Sequence, residues 1–153
     1  CRRLPWQAEA YAAWRARLDR ELDAGGVDAG RVVVLPQVDH DDYLRINLAC
    51  DAMLDSVRWS GGNTSLDAIA CGLPIATCPG AFMRGRQSAG MLELIGAADL
   101  VALDEDALVA NAVRLAGDPT WRAGLSARMR DGAKTLFDDR EPVAALAAAL
   151  DRH

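Results

Sequence analysis

The stretch WSGGNTSLDAIACGLP, Trp59–Pro74, joins a glycine-rich turn to a short apolar segment with the composition of a helix. Gly72 and Pro74 close this segment, because glycine adopts the left-handed conformation that ends many helices and proline cannot continue one. The run Thr64–Asp67 fits a capping box, although glutamate or glutamine is preferred at its last position. Two interpretations follow: a well-capped helix, or a helix whose first N–H groups bind a phosphate.

The turn has the chemistry for an anion site. Gly61 and Gly62 allow a ligand to approach bare backbone, and the N–H groups and dipole of a helix start favour a diphosphate. Asn63, Thr64 and Ser65 add side-chain donors. Asp67 would repel phosphate, so its functional role would be to accept hydrogen bonds from neighbouring sugar hydroxyls. The turn lacks the Gly-Lys-Ser/Thr of a Walker loop, the GxGxxG pattern and the GxSxG elbow.

Composition predicts an ordinary globular protein. The chain has 153 residues, 51% hydrophobic and 25% charged, which suits one domain spanning residues 1–153. A net charge of −5 argues against a general nucleic-acid binder. No apolar run reaches the roughly 18 residues that span a bilayer, and the N-terminus lacks the apolar core of a signal peptide. We therefore expect neither nucleic acid nor membrane as a partner.

The cysteines do not have the spacing of a metal site. Cys50, Cys71 and Cys78 form no CxxC pair, and His40 lies far from His153, so zinc binding is not expected. The three cysteines fall inside apolar elements and are interpreted as buried free thiols. Free thiols indicate a reducing compartment, which predicts a cytoplasmic protein.

Alternation of strand-like and helix-like segments predicts an α/β fold. The predicted strands are Arg31–Leu35 (RVVVL), Met53–Asp55, Pro74–Cys78 (PIATC) and Leu100–Leu103. The predicted helices are Tyr11–Leu22, one beginning at Asp39, Thr64–Cys71, Arg84–Ile95, one capped by Asp104, one beginning at Pro119, and Pro142–Leu150. This order favours a Rossmann-like, doubly wound parallel sheet with a helical C-terminal tail. Ligands of such sheets bind at the carboxyl ends of the strands, the edge where the glycine-rich turn falls.

The sequence around the turn, from Arg31 to Ile95, resembles that of a known family. The resembling pieces are LPQV at Leu35–Val38, LACDAMLD at Leu48–Asp55, the turn with Asp67 and Gly72-Leu73-Pro74, and Pro79-Gly80 followed by Arg86 and MLELIG. In order and spacing these pieces are similar to the C-terminal catalytic part of the O-linked N-acetylglucosamine transferases, which include the SPINDLY-like proteins.

The resemblance implies the donor-binding half of a GT-B glycosyltransferase. Such an enzyme is a metal-independent hexosyltransferase without a cofactor, because helix N-terminal amides neutralise the leaving diphosphate. The donor would be a nucleotide sugar, with UDP-N-acetylglucosamine as the preferred candidate, and the acceptor would be a Ser or Thr of a protein. A different donor such as GDP-fucose or UDP-glucose, a different acceptor, and a non-catalytic nucleotide-binding remnant stay open.

The resemblance also implies which residues meet the donor. Gly62, Asn63 and Thr64 correspond to diphosphate contacts and Asp67 to the carboxylate that holds the ribose. The remaining expected donor-binding residues, from the resemblance or from the turn chemistry, are Gln37, Val38, His40, Tyr43, Gly61 and Ser65. No catalytic residue is expected here, because the family's base, its phosphate-binding lysine and its acceptor half belong upstream, together with tetratricopeptide repeats. We therefore expect residues 1–153 alone to be inactive.

Three further groups near the predicted site have simpler interpretations. The acidic cluster Asp39, Asp41 and Asp42 favours helix-start electrostatics over a metal site. Arg84 and Arg86 could contact phosphate, but solvation or bracing of a helix start is preferred. Trp59 could pack on substrate, but core packing is preferred.

Overall fold

The computed structural model describes residues 5–137 and 139–152. The chain divides into two compact units, Cys1–Val38 and Asp39–His153. A single domain over residues 1–153 stays a prediction. Within the described residues, no helix has both the length and the apolar character needed to cross a membrane.

The first unit is a long helix followed by an extended segment. Helix α1, Pro5–Ala24, contains the predicted helix, and Gly26 two residues beyond it has a left-handed φ of 64°. A 3₁₀ turn follows at Ala29–Arg31. The predicted strand Arg31–Leu35 is wrong: its β-branched residues have strand propensity, but no neighbouring backbone pairs with them among the described residues. Propensity alone does not make a strand, because a strand needs a hydrogen-bonding partner.

The second unit is built on a small parallel sheet. Strands β1, Met53–Leu54, and β2, Ile75–Ala76, pair in parallel with Met53 opposite Ile75. A single parallel bridge from Thr77 to Val101 adds a third segment, with the Thr77 N–H donating to Leu100 O at 3.1 Å. Three of the four predicted strands therefore coincide with sheet segments, but these are much shorter than predicted. The unit is mostly helical, so the extended doubly wound sheet is only partly recovered.

The described part of the second unit contains six helices. They are α2 His40–Ala49, α3 Asn63–Cys71, α4 Gln87–Leu94, α5 Glu105–Gly117, α6 Pro119–Phe137 and α7 Glu141–Leu150. The predicted helix Arg84–Ile95 is divided, because a 3₁₀ turn at Met83–Gly85 precedes α4. Helix α6 packs against α3, α4 and α5.

Predicted helix ends at three positions are confirmed. Asp39 caps α2 by accepting from Asp42 N–H at 2.9 Å, and Asp104 caps α5 by accepting from Ala107 N–H at 2.8 Å. Gly72 ends α3 with a φ of 69°, where a Cβ would meet the Arg130 side chain. The capping role of Asp39 supports the interpretation of its acidic cluster as helix-start electrostatics.

The core lies between the sheet and helices α3, α4, α5 and α6. Its fully buried large residues are Ile69, Ile75, Leu92, Leu100, Leu115, Leu125 and Met129. The residues of α7 contribute nothing to this core: Val143, Leu146 and Leu150 are all exposed. The helix predicted at Pro142–Leu150 thus exists, but its large apolar side chains are uncovered within the described residues.

Two leucines of α4 provide a test of the core. Leu92 is 0% exposed and Leu94 is 67% exposed. We expect Leu92→Ala to lower the free energy of unfolding by about 2–5 kcal/mol, since it removes buried methyl groups and leaves a cavity. We expect Leu94→Ala to change it by less than about 0.5 kcal/mol. Urea denaturation measures both values, and equal losses would contradict the assigned core.

Candidate functional site

The glycine-rich turn lies where β1 ends and α3 begins. Residues 55–62 connect the two elements, and Gly62 is the N-cap of α3. A cleft of about 340 Å³ opens beside the turn, lined by Met53, Leu54, Asp55, Ser56, Trp59, Ser60, Gly61, Gly62, Asn63 and Thr64. The turn is therefore at the carboxyl edge of the parallel strands, the edge at which such sheets bind ligands.

No side chain caps the start of α3 in the described part of the chain. The helix begins at Asn63, one residue earlier than predicted, so Thr64 lies inside the first turn and the capping box is wrong. Ser65 and Leu66 donate their N–H groups to Gly62 O at 3.0 and 3.1 Å. Earlier N–H groups of a helix have no carbonyl partner within the helix. The first N–H groups of α3 therefore lack both an intrahelical partner and a side-chain cap among the described residues, at the positive end of the helix dipole.

A buried carboxylate holds the turn from beneath. Asp55 is 7% exposed and follows β1 directly. One of its oxygens accepts from the N–H groups of Ser56 at 2.9 Å and Gly61 at 2.8 Å. The other accepts from the hydroxyls of Ser60 at 2.7 Å and Thr77 at 2.8 Å. Asp55 was not among the predicted site residues, although an acidic residue at the carboxyl end of the predicted strand Met53–Asp55 was a signal that could have indicated it.

Three serines extend this network to α4. Ser60 gives its hydroxyl proton to Asp55, so Ser60 Oγ accepts the Ser88 N–H at 2.9 Å and lies 2.8 Å from Ser88 Oγ. The hydroxyls of Ser65 and Ser88 are 2.7 Å apart. All three side chains are buried. The predicted donor-binding residue Ser65 thus faces the protein interior, where it supports the turn.

Asn63 and Thr64 lie at the exposed start of α3, as the predicted site requires. Asp67 follows one turn later, half-buried, and its carboxylate is 3.9 Å from His40 Nδ1 at the start of α2. The structure thus brings two further predicted residues together, one from each helix. The Gly61 N–H is not free for a ligand, because Asp55 already accepts it.

The remaining predicted site residues lie before the turn in the chain. Tyr43 is half-buried in α2, one helical turn after His40. Gln37 and Val38 belong to the first unit, where Gln37 is exposed and Val38 is half-buried.

The structure corrects one expectation about side chains near the turn and agrees with another. Trp59 is 72% exposed on the rim of the cleft, so the preferred interpretation of core packing is wrong. Its neighbour Ser60 is tied down by the network, which leaves the indole outside the core. Arg84 is exposed and stacks over the Phe82 ring at 4.7 Å, which agrees with a solvated role.

The cysteines are unequally buried. Cys50 is exposed, which corrects the prediction of a buried thiol, whereas Cys71 is half-buried and Cys78 is buried. Burial raises the pKa of the Cys78 thiol, and the nearby charges of Asp104 and Glu105 raise it further. Such a thiol is a poor nucleophile because the thiolate is the reactive form. The cytoplasmic location inferred from free thiols stays a prediction.

Metal-binding residues do not gather at the turn. Across residues 5–137 and 139–152, no group of three or more His, Cys, Asp or Glu side chains has the geometry to hold an ion. Metal independence of the reaction stays a prediction.

Two glycines provide a matched test of the turn. A Cβ at Gly61 would overlap the Ser65 hydroxyl and approach Thr64 Oγ1 to 2.7 Å, whereas a Cβ at Gly90 in α4 would meet nothing within 4 Å. We expect Gly61→Ala to cost about 1–3 kcal/mol, because Ser65 is held by Ser88 and cannot yield freely. Gly90→Ala should instead stabilise α4 by about 0.5–1 kcal/mol. Thermal unfolding of both variants measures this, and a Gly61→Ala protein as stable as the parent would contradict the described packing.

Comparison with known proteins identifies the family. The glycosyl transferase family 41 model matches residues 3–146. A probable UDP-N-acetylglucosamine–peptide N-acetylglucosaminyltransferase SPINDLY of Solanum lycopersicum is 29% identical over 119 residues, 76% of this chain and 13% of that protein. The UDP-N-acetylglucosamine–peptide N-acetylglucosaminyltransferase of Caenorhabditis elegans is 27% identical over 91% of this chain and 12% of that protein.

A solved structure matches the fold. A mutant of the Thermobaculum terrenum O-GlcNAc transferase superposes with a TM-score of 0.80 and 30% identity, over 90% of this chain and 27% of that one. The chain therefore spans about a quarter of this solved relative and a smaller share of the curated ones. The similarity covers both sides of the glycine-rich turn, and the chain belongs to glycosyl transferase family 41.

Proposed function

We propose that the unit Asp39–His153 binds the nucleotide diphosphate of a sugar donor. The observation that carries this proposal is the start of α3, which has no side-chain cap and lies beside a cleft at the carboxyl edge of the sheet. Protein folds normally satisfy such donors with a capping side chain. A helix start that is left uncapped next to a cleft is the arrangement that binds phosphate groups.

The diphosphate would take the N–H groups of the first turn of α3. Gly62, Asn63 and Thr64 are the residues whose backbone is available there, and the exposed Asn63 and Thr64 side chains add donors. These donors are fixed before the ligand arrives, so they would stabilise the negative charge that builds on the leaving diphosphate. The reaction would then need no metal ion for this step.

Asp67 would hold the ribose. Its carboxylate lies one turn beyond the helix start, where it can accept hydrogen bonds from hydroxyl groups next to the diphosphate. His40, at 3.9 Å, would orient this carboxylate. Contacts of Tyr43, Gln37 and Val38 with the base rest on the family resemblance.

The whole protein would transfer the sugar to a polypeptide. Relatives named as UDP-N-acetylglucosamine–peptide N-acetylglucosaminyltransferases support N-acetylglucosamine as the sugar and a protein as the acceptor. GDP-fucose or UDP-glucose as the donor, another acceptor, and a remnant that binds a nucleotide without catalysis are the alternatives. Residues outside this chain would supply the base and the acceptor site.

Calorimetric titration with UDP tests the diphosphate site. We expect Asn63→Ala and Thr64→Ala each to weaken UDP binding about tenfold, because each removes a hydrogen bond to a charged group. Thr120→Ala is the matched control, since Thr120 is also the second residue of a helix but lies in α6, outside the cleft. No heat with either UDP or GDP for the parent protein would contradict the proposal, and GDP preferred over UDP would favour the fucose alternative.

The role of Asp67 is tested by comparing two ligands. We expect Asp67→Ala to weaken UDP binding about tenfold, through loss of the ribose contacts. Binding of inorganic diphosphate should stay equal or improve, because the variant removes a negative charge near the anion. Equal losses for both ligands would contradict a ribose role and indicate that Asp67 supports the turn itself.

A further inference from the structure

We propose that Asp55 is the positioning residue of the donor site, which holds the glycine-rich turn in the conformation that receives a diphosphate. This inference rests on the proposed function, since it names the group behind the anion-binding backbone. Asp55 itself lies beneath the turn, buried, and reaches the ligand only through the residues that it holds.

The hydrogen bonds of Asp55 tie three pieces of backbone together. Ser56 and Gly61, at the two ends of the turn, donate their N–H groups to the same carboxylate oxygen, at 2.9 and 2.8 Å. Thr77, just beyond β2, donates its hydroxyl to the other oxygen. One side chain therefore closes the loop between residues 56 and 61 and fixes it to the neighbouring strand.

Among the described residues, hydrogen-bond donors alone offset the cost of burying the Asp55 carboxylate. It has four donors and no ion pair with any Arg or Lys in the described residues. A buried charge without its donors is costly, so the structure can retain Asp55 only while the turn stays folded around it. The turn and the carboxylate thus stabilise each other, and the turn is ordered before a ligand arrives.

The choice of donors decides which N–H groups meet the ligand. Asp55 takes the N–H of Gly61, and the next groups along the chain, from Gly62 into α3, receive no side-chain cap. A pre-formed row of donors avoids the entropy cost of ordering a loop during binding. Loss of Asp55 would let the row move, and misplacement by about 1 Å can cost about a hundredfold in function.

Asparagine at position 55 can preserve this geometry. Its carbonyl oxygen can accept both N–H groups, and its NH₂ group can donate to the hydroxyl oxygens of Ser60 and Thr77, because a hydroxyl both donates and accepts. Ser60 can then turn its hydroxyl proton to Ser88 Oγ, which lies 2.8 Å away. Alanine at position 55 can form none of these hydrogen bonds, so Asp55→Asn tests whether hydrogen bonds without the charge are enough to hold the turn.

The test compares Asp55→Ala, Asp55→Asn and Thr77→Val in the full chain, with UDP as the probe. We expect Asp55→Ala to weaken UDP binding about tenfold to a hundredfold and Asp55→Asn to restore it to within about threefold. Thr77→Val is the matched control, because it removes one hydroxyl from the same carboxylate without touching the turn. It should lower the melting temperature but leave the affinity for UDP within about twofold.

Amide hydrogen exchange provides a second readout that needs no ligand. We expect the Gly61 N–H to lose protection in Asp55→Ala and to keep it in Asp55→Asn and Thr77→Val. If Asp55→Ala keeps both the protection and the parent's affinity, or if Thr77→Val loses as much affinity as Asp55→Ala, the inference is overturned. If exchange follows this pattern while the parent protein binds no UDP, Asp55 still positions the turn and the proposed donor function alone fails.

Discussion

The second unit depends on the buried carboxylate of Asp55, which forms no ion pair among the residues that the structure describes. Asp55 receives hydrogen bonds from the ends of the turn and from the far end of β2, so the start of α3 cannot shift without exposing a charge to an apolar interior. The short strands make this more important: β1 and β2 contribute only two residues each. Side-chain hydrogen bonds therefore hold the two strands and the turn together at this edge, a role that a longer backbone ladder has in other parallel sheets.

Polar groups in the turn divide into those that face inward and those that face the cleft. The hydroxyls of Ser60, Ser65 and Ser88 form hydrogen bonds with one another and with Asp55, so the polar groups on the buried side of the turn have partners within the protein. The start of α3 receives no such side-chain partner. A rigid, internally satisfied support beneath a row of open backbone donors is a sound basis for binding an anion, since binding then requires little reorganisation.

Large apolar side chains are exposed at two places in this chain, which spans only part of the length of its relatives. Trp59 lies on the cleft rim, and one face of α7 is exposed along its length. The curated relatives are about eight times longer than the portion matched here, as the shares of 12% and 13% imply. Donor binding is the part of the transferase reaction that we propose for these residues.

The sequence by itself determined the positions of most helices, the caps at Asp39 and Asp104, the left-handed Gly72 and the family, because these depend on local spacing and on residues close in the chain. It was wrong about Arg31–Leu35, since a strand exists only where a neighbour pairs with it. It was also wrong about the cap of α3 and the burial of Trp59 and Cys50. Only the tertiary structure brought Asp55 to Thr77 and Ser60 to Ser88, because these partners are 22 and 28 residues apart and meet only when β1 pairs with β2 and α4 packs beside the turn. That packing decided which polar groups support the turn and which remain for a ligand.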